Sequence, residues 1–231
     1  MVALRTLTFN EPAAVSDVLK CEMGTYCREV VTVLSGTAAF ALGMVLGKIT
    51  RGAATSAAKS GGNTGNGTLT LDGTTPVKSG AKAGVYTVRF IAAATNNGTF
   101  RVTDPDGFVL GDVVMSGGAG AFDNDIKFSI ADGATDFIVG DGFDVTVAAG
   151  SGKYVPHDPT KTDGREIASA VALQPVDASA ADVADVVILA RGPAEVSNLG
   201  LQWHASVNSN PLKAAAIAQL AAAGIITRRG A

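Results

Sequence analysis

The sequence has 231 residues and a mass of 23.2 kDa, which is enough for one large domain or two small ones. Only 17% of the residues are charged, and 28 glycines with 6% aromatic residues favour short strands and turns over long charged helices. The formal net charge of -3, without any basic run flanked by aromatic residues, argues against a nucleic-acid partner.

Residues 1–20 are predicted to be extended. They alternate weakly before Pro12, with one face formed by Arg5, Leu7 and Phe9 and the other by Leu4, Thr6 and Thr8. This pattern fits an arm that pairs with a neighbouring sheet edge, and it equally fits an ordinary first strand or a disordered tail. No basic segment leads into an apolar run, so we expect no secretory signal.

The most apolar stretch runs from Val30 to Gly47. It opens with the β-branched run Val30 to Val33 and contains several Thr, Ser and Gly residues. These features predict a strand, a turn and a second strand rather than a membrane-spanning helix. We therefore expect no membrane partner.

The middle of the sequence is predicted to be a self-contained β domain over residues 62–149. Small and polar residues from Ala53 to Asn66 predict a linker before it, and the small-residue run from Ala148 to Gly152 closes its far side. Residues 85–91 and 98–103 alternate in polarity, and Asn96-Asn97-Gly98 between them is a hairpin signal. Further short strands, at residues 108–110, 126–130 and 143–147, indicate a β-sandwich.

After Gly152 the pattern changes again. Val186 to Ala190 is predicted to be a buried strand. A helix follows, with Asn210 as its N-cap, Pro211 at the first helical position and Gly224 as its left-handed stop. On this helix Leu212, Ala216 and Leu220 share one face.

Catalytic and metal-binding motifs are incomplete. Gly43 to Ile49 is one residue short of a phosphate loop and lacks its Ser or Thr. His157 and His204 have no sequence partner that marks a base or a ligand, and we expect both at the surface or at an edge. We expect no cofactor and no metal ion.

The central segment is rich in aspartate, which raises the alternative of a calcium site on flexible loops. The residues concerned are Asp104, Asp106, Asp123, Asp125, Asp132, Asp136, Asp141 and Asp144. Their spacing matches no EF-hand loop, and aspartates that form turns explain most of them. Turn formation is therefore the preferred interpretation.

Two blocks of the sequence resemble the lambda-like phage head decoration proteins. The first block holds Arg28-Glu29-Val30-Val31-Thr32-Val33 and Gly43-Met44-Val45-Leu46-Gly47-Lys48-Ile49-Thr50. The second holds Lys153-Tyr154-Val155-Pro156-His157-Asp158-Pro159, Thr162-Asp163-Gly164, Val187 to Val196, Leu201-Gln202-Trp203 and the Ala-rich helix. Residues 53–150 depart from the simpler members, which have a short connection there, and resemble a β module of other phage particle proteins.

The resemblance implies a mainly β fold: a small decoration-protein scaffold with a short C-terminal helix, interrupted by an inserted β-sandwich. It divides the chain into an arm (1–20), a discontinuous scaffold (21–61 and 150–231) and the insert (62–149). The arm residues expected to bind the capsid are Leu4, Arg5, Thr6, Leu7, Thr8 and Phe9.

The implied function is that of a structural virion protein. It binds the major capsid protein on the outer surface of the expanded capsid, as a homotrimer at local three-fold axes, and stabilises the shell. Synthesis is expected in the bacterial host cytoplasm, where Cys21 and Cys27 fit two separate thiols, although a turn between them also allows a disulfide.

Alternative functions come from two other classes. The insert is a candidate module for host-surface glycans, using loop Asp and Asn side chains, but it has no Trp and Tyr86 is its only Tyr. We expect its phenylalanines to be core residues, namely Phe90, Phe100, Phe108, Phe122, Phe128, Phe137 and Phe143. A small hydrolase is disfavoured because no nucleophile elbow or metal cluster is present. For Trp203 we favour core packing over an interface role.

Overall fold

The computed structural model describes residues 13–229. It is mainly β, with 47% of residues in strands and 10% in helices, which confirms the predicted class. The chain divides into two compact units. We call residues up to 46 and from 168 the terminal unit, and residues 47–167 the central unit.

The elements, in chain order, begin with α1 (Val15–Val18), β1 (Leu19–Glu22), a 3-10 turn (Gly24–Cys27), β2 (Arg28–Val33), β3 (Thr37–Phe40) and β4 (Val45–Lys48). They continue with β5 (Arg51–Ala58), β6 (Thr68–Leu71), β7 (Gly84–Ala94), β8 (Asn97–Thr103), β9 (Val109–Val114), β10 (Ala119–Asp123), β11 (Lys127–Ala131), β12 (Gly142–Ala149) and β13 (Tyr154–Pro156). The last are β14 (Ala168–Ala172), β15 (Val176–Ala178), β16 (Val183–Leu189), β17 (Ala194–Ser197), α2 (Asn210–Ala222) and β18 (Ile225–Arg228).

The apolar stretch from Val30 to Gly47 lies in β2, β3 and β4, so its predicted strand character is confirmed. Its β-branched residues pair in sheets, where a stiff side chain packs well on the pleated surface. Within residues 13–229, none of the helices has the length and apolar content that crossing a bilayer requires.

The terminal unit is held together by pairing between distant parts of the chain. β17 lies between β1, to which it is antiparallel, and β18, to which it is parallel. β16 lies antiparallel between β2 and β14. The core of this unit is formed by Val18, Cys27, Leu42, Val45, Ala168, Val171, Leu173, Leu189, Ala194, Val196, Leu201, Ala216, Leu220 and Ile225.

Helix α2 begins one residue earlier than predicted. Ser209, in an extended conformation, is the N-cap, and Asn210 is the first helical residue instead of the predicted cap. Pro211 is still accommodated, because N–H groups of the first helical turn have no acceptor within the helix. The predicted stop is confirmed: Gly224 has φ +80°, and Ala216 and Leu220 are fully buried.

The central unit contains two antiparallel sheets. One has the strand order β5-β12-β7-β8-β9 and the other has the order β10-β11-β6. The predicted hairpin is confirmed, because β7 and β8 pair with Phe90 opposite Phe100. Asn96 at the turn has φ 53°, a left-handed conformation that asparagine tolerates better than most residues.

The predicted linker over residues 53–66 is wrong for its first part. Residues 51–58 form β5, which pairs antiparallel with β12. Small side chains bury little surface, but at a sheet edge the backbone hydrogen bonds define the strand without them. Ala54 also packs against the core of the unit.

Side chains from both sheets form one core, in which aromatic rings are prominent. Phe90 stacks on Phe137 at 4.3 Å between ring centroids, and the Phe100 ring lies 5.9 Å from Phe128. Six of the seven predicted core phenylalanines are buried: Phe90, Phe100, Phe122, Phe128, Phe137 and Phe143. The prediction is wrong for Phe108, which is 66% exposed and lies beside the Lys82 ammonium. Its N–H donates to the Asp104 carboxylate, and the turn closed by this hydrogen bond directs the ring outward.

Replacing Phe100 with Ala is expected to cost about 3 to 5 kcal/mol of stability, because a buried ring between two other rings is removed and a cavity remains. Urea unfolding measured by fluorescence and circular dichroism checks this value. The control is Val114→Ala on the edge strand β9, where the side chain is 73% exposed and the change should stay within about 0.5 kcal/mol. Equal costs for both variants would contradict the described core.

Candidate functional site

The predicted arm residues Leu4, Arg5, Thr6, Leu7, Thr8 and Phe9 lie outside the described residues. The described part of the chain begins at residue 13. The helix over Val15–Val18 and the strand that begins at Leu19 replace the extended conformation expected up to residue 20.

The base of the arm is fixed by local hydrogen bonds and by close packing. Asp17 accepts a hydrogen bond from the Ala14 N–H at 2.8 Å, and its own N–H donates to the Ala14 carbonyl at 2.9 Å. Val18 is buried against Gly43, where a Cβ would lie 2.1 Å from the Gly200 carbonyl oxygen. Only a residue without a side chain fits at Gly43, which also has φ +85°.

Beside strand β1, the terminal unit has an open cleft of about 210 Å³. It is lined by Cys21, Pro193, Ala194, Glu195, Gly224, Ile226 and Arg228. Arg228 forms an ion pair with Glu195 at 2.8 Å across this surface. Within the described residues β1 is an edge strand of its sheet, so one side of its backbone is open to a further strand.

Large apolar side chains are exposed close together in the sequence of the terminal unit. Met23, Tyr26 and Val30 are each more than 60% exposed around the 3-10 turn and the start of β2. The Arg191 guanidinium lies over the Tyr26 ring at 5.4 Å and holds it in place. Large apolar side chains that remain exposed are one feature of surfaces that bind another protein.

The histidines occupy different environments, and one prediction about them is wrong. His157 is buried, with 3% of its surface exposed, and its Nδ1 lies 2.9 Å from the Arg165 carbonyl oxygen. His204 is half-buried, with Nδ1 at 2.8 Å from the Ser206 hydroxyl. Between residues 13 and 229, His, Cys, Asp and Glu side chains nowhere gather in threes to hold a metal ion.

The two cysteines are free thiols in different surroundings. Cys21 is exposed, whereas Cys27 is buried in the core of the terminal unit. The Cys27 thiol donates to the Pro193 carbonyl oxygen at 3.3 Å. This burial makes Cys27 a packing residue rather than a reactive thiol.

Several aspartates organise turns by accepting hydrogen bonds from backbone N–H groups. Asp104 accepts from Phe108 and Asp106, and a hydrogen bond from the Lys82 ammonium contributes most to lowering the pKa of its carboxyl. Burial alone would raise the pKa of Asp141, but three backbone donors bring it below the ordinary value. Those donors belong to Gly65, Thr64 and Ile138.

A buried ion pair in the central unit has no sequence motif. Arg51 and Glu166 are in direct contact, and each side chain is 8% exposed. Arg51 also donates to the Thr162 and Ala81 carbonyl oxygens, both at 2.9 Å, while Glu166 accepts from the Gly164 N–H at 2.7 Å. Both charges are therefore hydrogen-bonded on several sides, which is the condition for burying them.

Trp203 is partly buried and packs against the core of the terminal unit. The Lys213 ammonium lies 6.0 Å from its ring centroid. The favoured interpretation of core packing agrees with these contacts, while the exposed part of the ring leaves one edge open.

An open strand edge and exposed apolar side chains on a β-rich chain are features typical of proteins that bind other protein chains. The family model of bacteriophage lambda head decoration protein D matches residues 8–225. The chain therefore belongs to the lambda head decoration protein family, as its sequence blocks predicted. This membership makes it a structural phage protein that binds the capsid, with its place in the virion.

Other comparisons add little. No curated protein matches the sequence. Crystal structures of FlgL from Xanthomonas campestris in two space groups share 21% and 22% identity over 47% and 48% of this chain, with a TM-score of 0.30. The match covers 33% of the FlgL chain, and similarity at this level supports no conclusion about fold or function.

Replacing Glu166 with Gln should destabilise the protein by about 3 to 5 kcal/mol, because the buried Arg51 charge loses its counter-charge. The one amide oxygen of Gln can also accept from Arg51 or from the Gly164 N–H, but not from both. Chemical denaturation at neutral pH measures this cost. As a control, Asp112→Asn breaks the exposed pair with Arg101 and should have a much smaller effect, because solvent screens exposed ion pairs. A Glu166 variant as stable as this control would show that the pair does not hold the unit together.

Proposed function

We propose that this protein binds the outer surface of the expanded phage capsid as a homotrimer and stabilises the shell. The match of the family model over residues 8–225 is the observation that carries this proposal. The exposed apolar side chains around Tyr26 and the open edge of β1 support it, because both are surfaces on which another chain can pack.

In this proposal the arm attaches each protomer to the major capsid protein. An arm that adds a strand to a capsid sheet edge satisfies its backbone groups, while Leu7 and Phe9 fill pockets on one face. Ordering the arm costs roughly 1 to 2 kcal/mol per residue, so one arm binds weakly. A trimer brings three arms together, and each bound arm raises the effective concentration of the others.

The fixed base supports the same mechanism. With Val18 buried and Asp17 capping α1, the arm leaves the terminal unit from a defined point. A fixed starting point leaves only the residues before it to span the distance between the trimer and its binding site. Shorter flexible lengths give higher effective concentrations, provided that they still span the distance.

We also propose that the two sheets of the central unit are a β-sandwich inserted into the decoration scaffold and dispensable for decoration. Arg51 at the start of β5 lies opposite Ala149 at the end of β12, so the chain enters and leaves the sandwich side by side. An insertion with adjacent ends costs its host little loop-closure entropy. The pairing supports a start of the insert near Arg51. The insert then includes β5 in addition to the segment 62–149 that the sequence indicates.

Synthesis in the bacterial host cytoplasm belongs to the same proposal. Two free cysteines, one exposed and one buried, are compatible with a reducing compartment. The role is structural, and decoration needs no catalytic group.

Removing residues 2–12 should leave the trimer folded but reduce its occupancy on undecorated expanded capsids by about tenfold or more, because three linked contacts are lost together. Sedimentation gives the oligomeric state, and quantitative gel analysis of purified capsids gives the occupancy. The matched variant Leu7→Ala/Phe9→Ala keeps the arm backbone and should show an intermediate loss. A monomer that still decorates capsids, or unchanged occupancy without the arm, would refute the mechanism.

Joining Gly52 to Ser151 through a short Gly-Ser linker should give a protein that still trimerises and binds capsids. The isolated fragment 51–150 should unfold cooperatively on heating, since it retains all strands of both sheets. The fragment 62–149 lacks β5 and should melt at a lower temperature. If the shortened protein does not fold, or if fragment 51–150 is unstructured, the sandwich is not an independent insertion.

A further inference from the structure

The outward face of the sheet β10-β11-β6 carries a cleft of about 240 Å³, which the proposed attachment to the capsid does not use. Its floor is one cross-strand row of small side chains, with Ala121 opposite Ser129 and Ser129 opposite Thr70. The next side chains inward along these strands, Phe122 and Phe128, point to the core and are buried. The depression therefore comes from small residues on a rigid sheet, and its volume corresponds to about eight water molecules.

The wall of the cleft is a second row, which carries alternating charges. Lys127 lies opposite Asp123 and forms an ion pair with Asp72 at 2.9 Å. Asp123 in turn forms an ion pair with Lys78. The N–H of Thr75, the Lys127 ammonium and the N–H of Thr74 hold the pKa of the Asp72 carboxyl well below its ordinary value, so the row stays charged at neutral pH.

This arrangement selects the ligand by its charge. The Asp72 carboxylate is paired with Lys127 in the row, and the Asp123 carboxylate is paired with Lys78, which lies outside the cleft lining. These four charges cancel, so neither an anion nor a cation gains net attraction. A ligand that carries a phosphate or carboxylate group would be repelled by Asp72 and Asp123. A metal ion would be repelled by the Lys127 ammonium. A neutral molecule rich in hydroxyl groups avoids both conflicts, because each hydroxyl donates to a carboxylate and accepts from an ammonium group.

The floor provides matching groups. The Thr70 and Ser129 hydroxyls are exposed and have no hydrogen-bond partner among residues 13–229. Each can donate one hydrogen bond and accept two. Ala121, on the far side of Ser129 from Thr70, offers a small apolar area for the C–H face of a ring.

We propose that the cleft over β10, β11 and β6 binds a single neutral saccharide unit, such as one residue of a host-surface glycan. This binding goes beyond decoration. It places the glycan-binding alternative on strands of the central unit, whereas the sequence indicated that loop side chains would bind the glycan. Without an aromatic platform each site is weak, with a Kd on the order of 1 mM. Many copies displayed on one capsid compensate for weak single sites through avidity.

The test uses the isotope-labelled full-length protein and nuclear magnetic resonance titration with the methyl glycosides of glucose, galactose, mannose, rhamnose and N-acetylglucosamine, each up to about 20 mM, well above the expected Kd. Sialic acid and inorganic phosphate are the charged probes. At least one neutral glycoside should shift the amide signals of Thr70, Ala121, Asp123, Lys127 and Ser129 in a saturable way. The charged probes should not.

Three variants and a matched control complete the test. Thr70→Val and Ser129→Ala remove the floor hydroxyls and should weaken binding about tenfold, and Ala121→Tyr should abolish it by filling the cleft. Thr146→Val removes an exposed hydroxyl from β12 in the other sheet and should leave binding unchanged.

The proposal is overturned if no neutral glycoside shifts these signals, if a charged probe binds there instead, or if Thr146→Val weakens binding as much as the cleft variants. Capsid occupancy of the same variants is measured in parallel. If the unmodified protein decorates capsids but responds to no glycoside, this inference alone is refuted. If the unmodified protein does not decorate capsids, the proposed main function is refuted.

Discussion

The antiparallel pairing of β5 with β12 is the constraint on which the central unit depends. Ala58 lies opposite Phe143 at one end and Arg51 opposite Ala149 at the other. The pairing closes a segment of about 90 residues with its ends side by side, and it extends the larger sheet to five strands. The Arg51 side chain then reaches Glu166, Thr162 and Ala81, so the same residue joins the sheet edge to two loops. The same strand adds Ala54 to the shared core of both sheets.

The sequence predicted best those features whose cause is local. The hairpin of β7 and β8 follows from two alternating runs and the Asn96-Asn97-Gly98 signal between them, and the end of α2 follows from Gly224. The two sequence blocks that resemble the decoration proteins predicted the family and the β-rich class, because they keep their order on either side of the intervening segment. The mixed polarity of residues 30–47 was enough to separate strands from a membrane helix.

Features that depend on distant partners were missed. β5 has the composition of a linker, and only a strand that follows much later makes it part of a sheet. His157 was placed at the surface because nothing near it in sequence shows that it is buried beside Arg165. The two residues of the Arg51–Glu166 pair are more than a hundred residues apart in sequence. Phe108 was missed for a local reason, because the turn closed by its hydrogen bond to Asp104 directs the ring outward. The cleft over β10, β11 and β6 likewise exists only after three strands place their small residues in one row.

In the terminal unit, the sheet β1-β17-β18 joins strands from distant parts of the chain, with Leu19 opposite Val196. A ribosome that adds about 5 to 20 residues per second needs roughly 9 to 35 seconds to make the segment between them. During that time β1 has no partner, and the buried side chain of Val18 has no core to enter. The central unit, in contrast, has all its strands before synthesis of the terminal unit is complete. The order of translation therefore delays completion of this sheet until its last strand, β18, has been made.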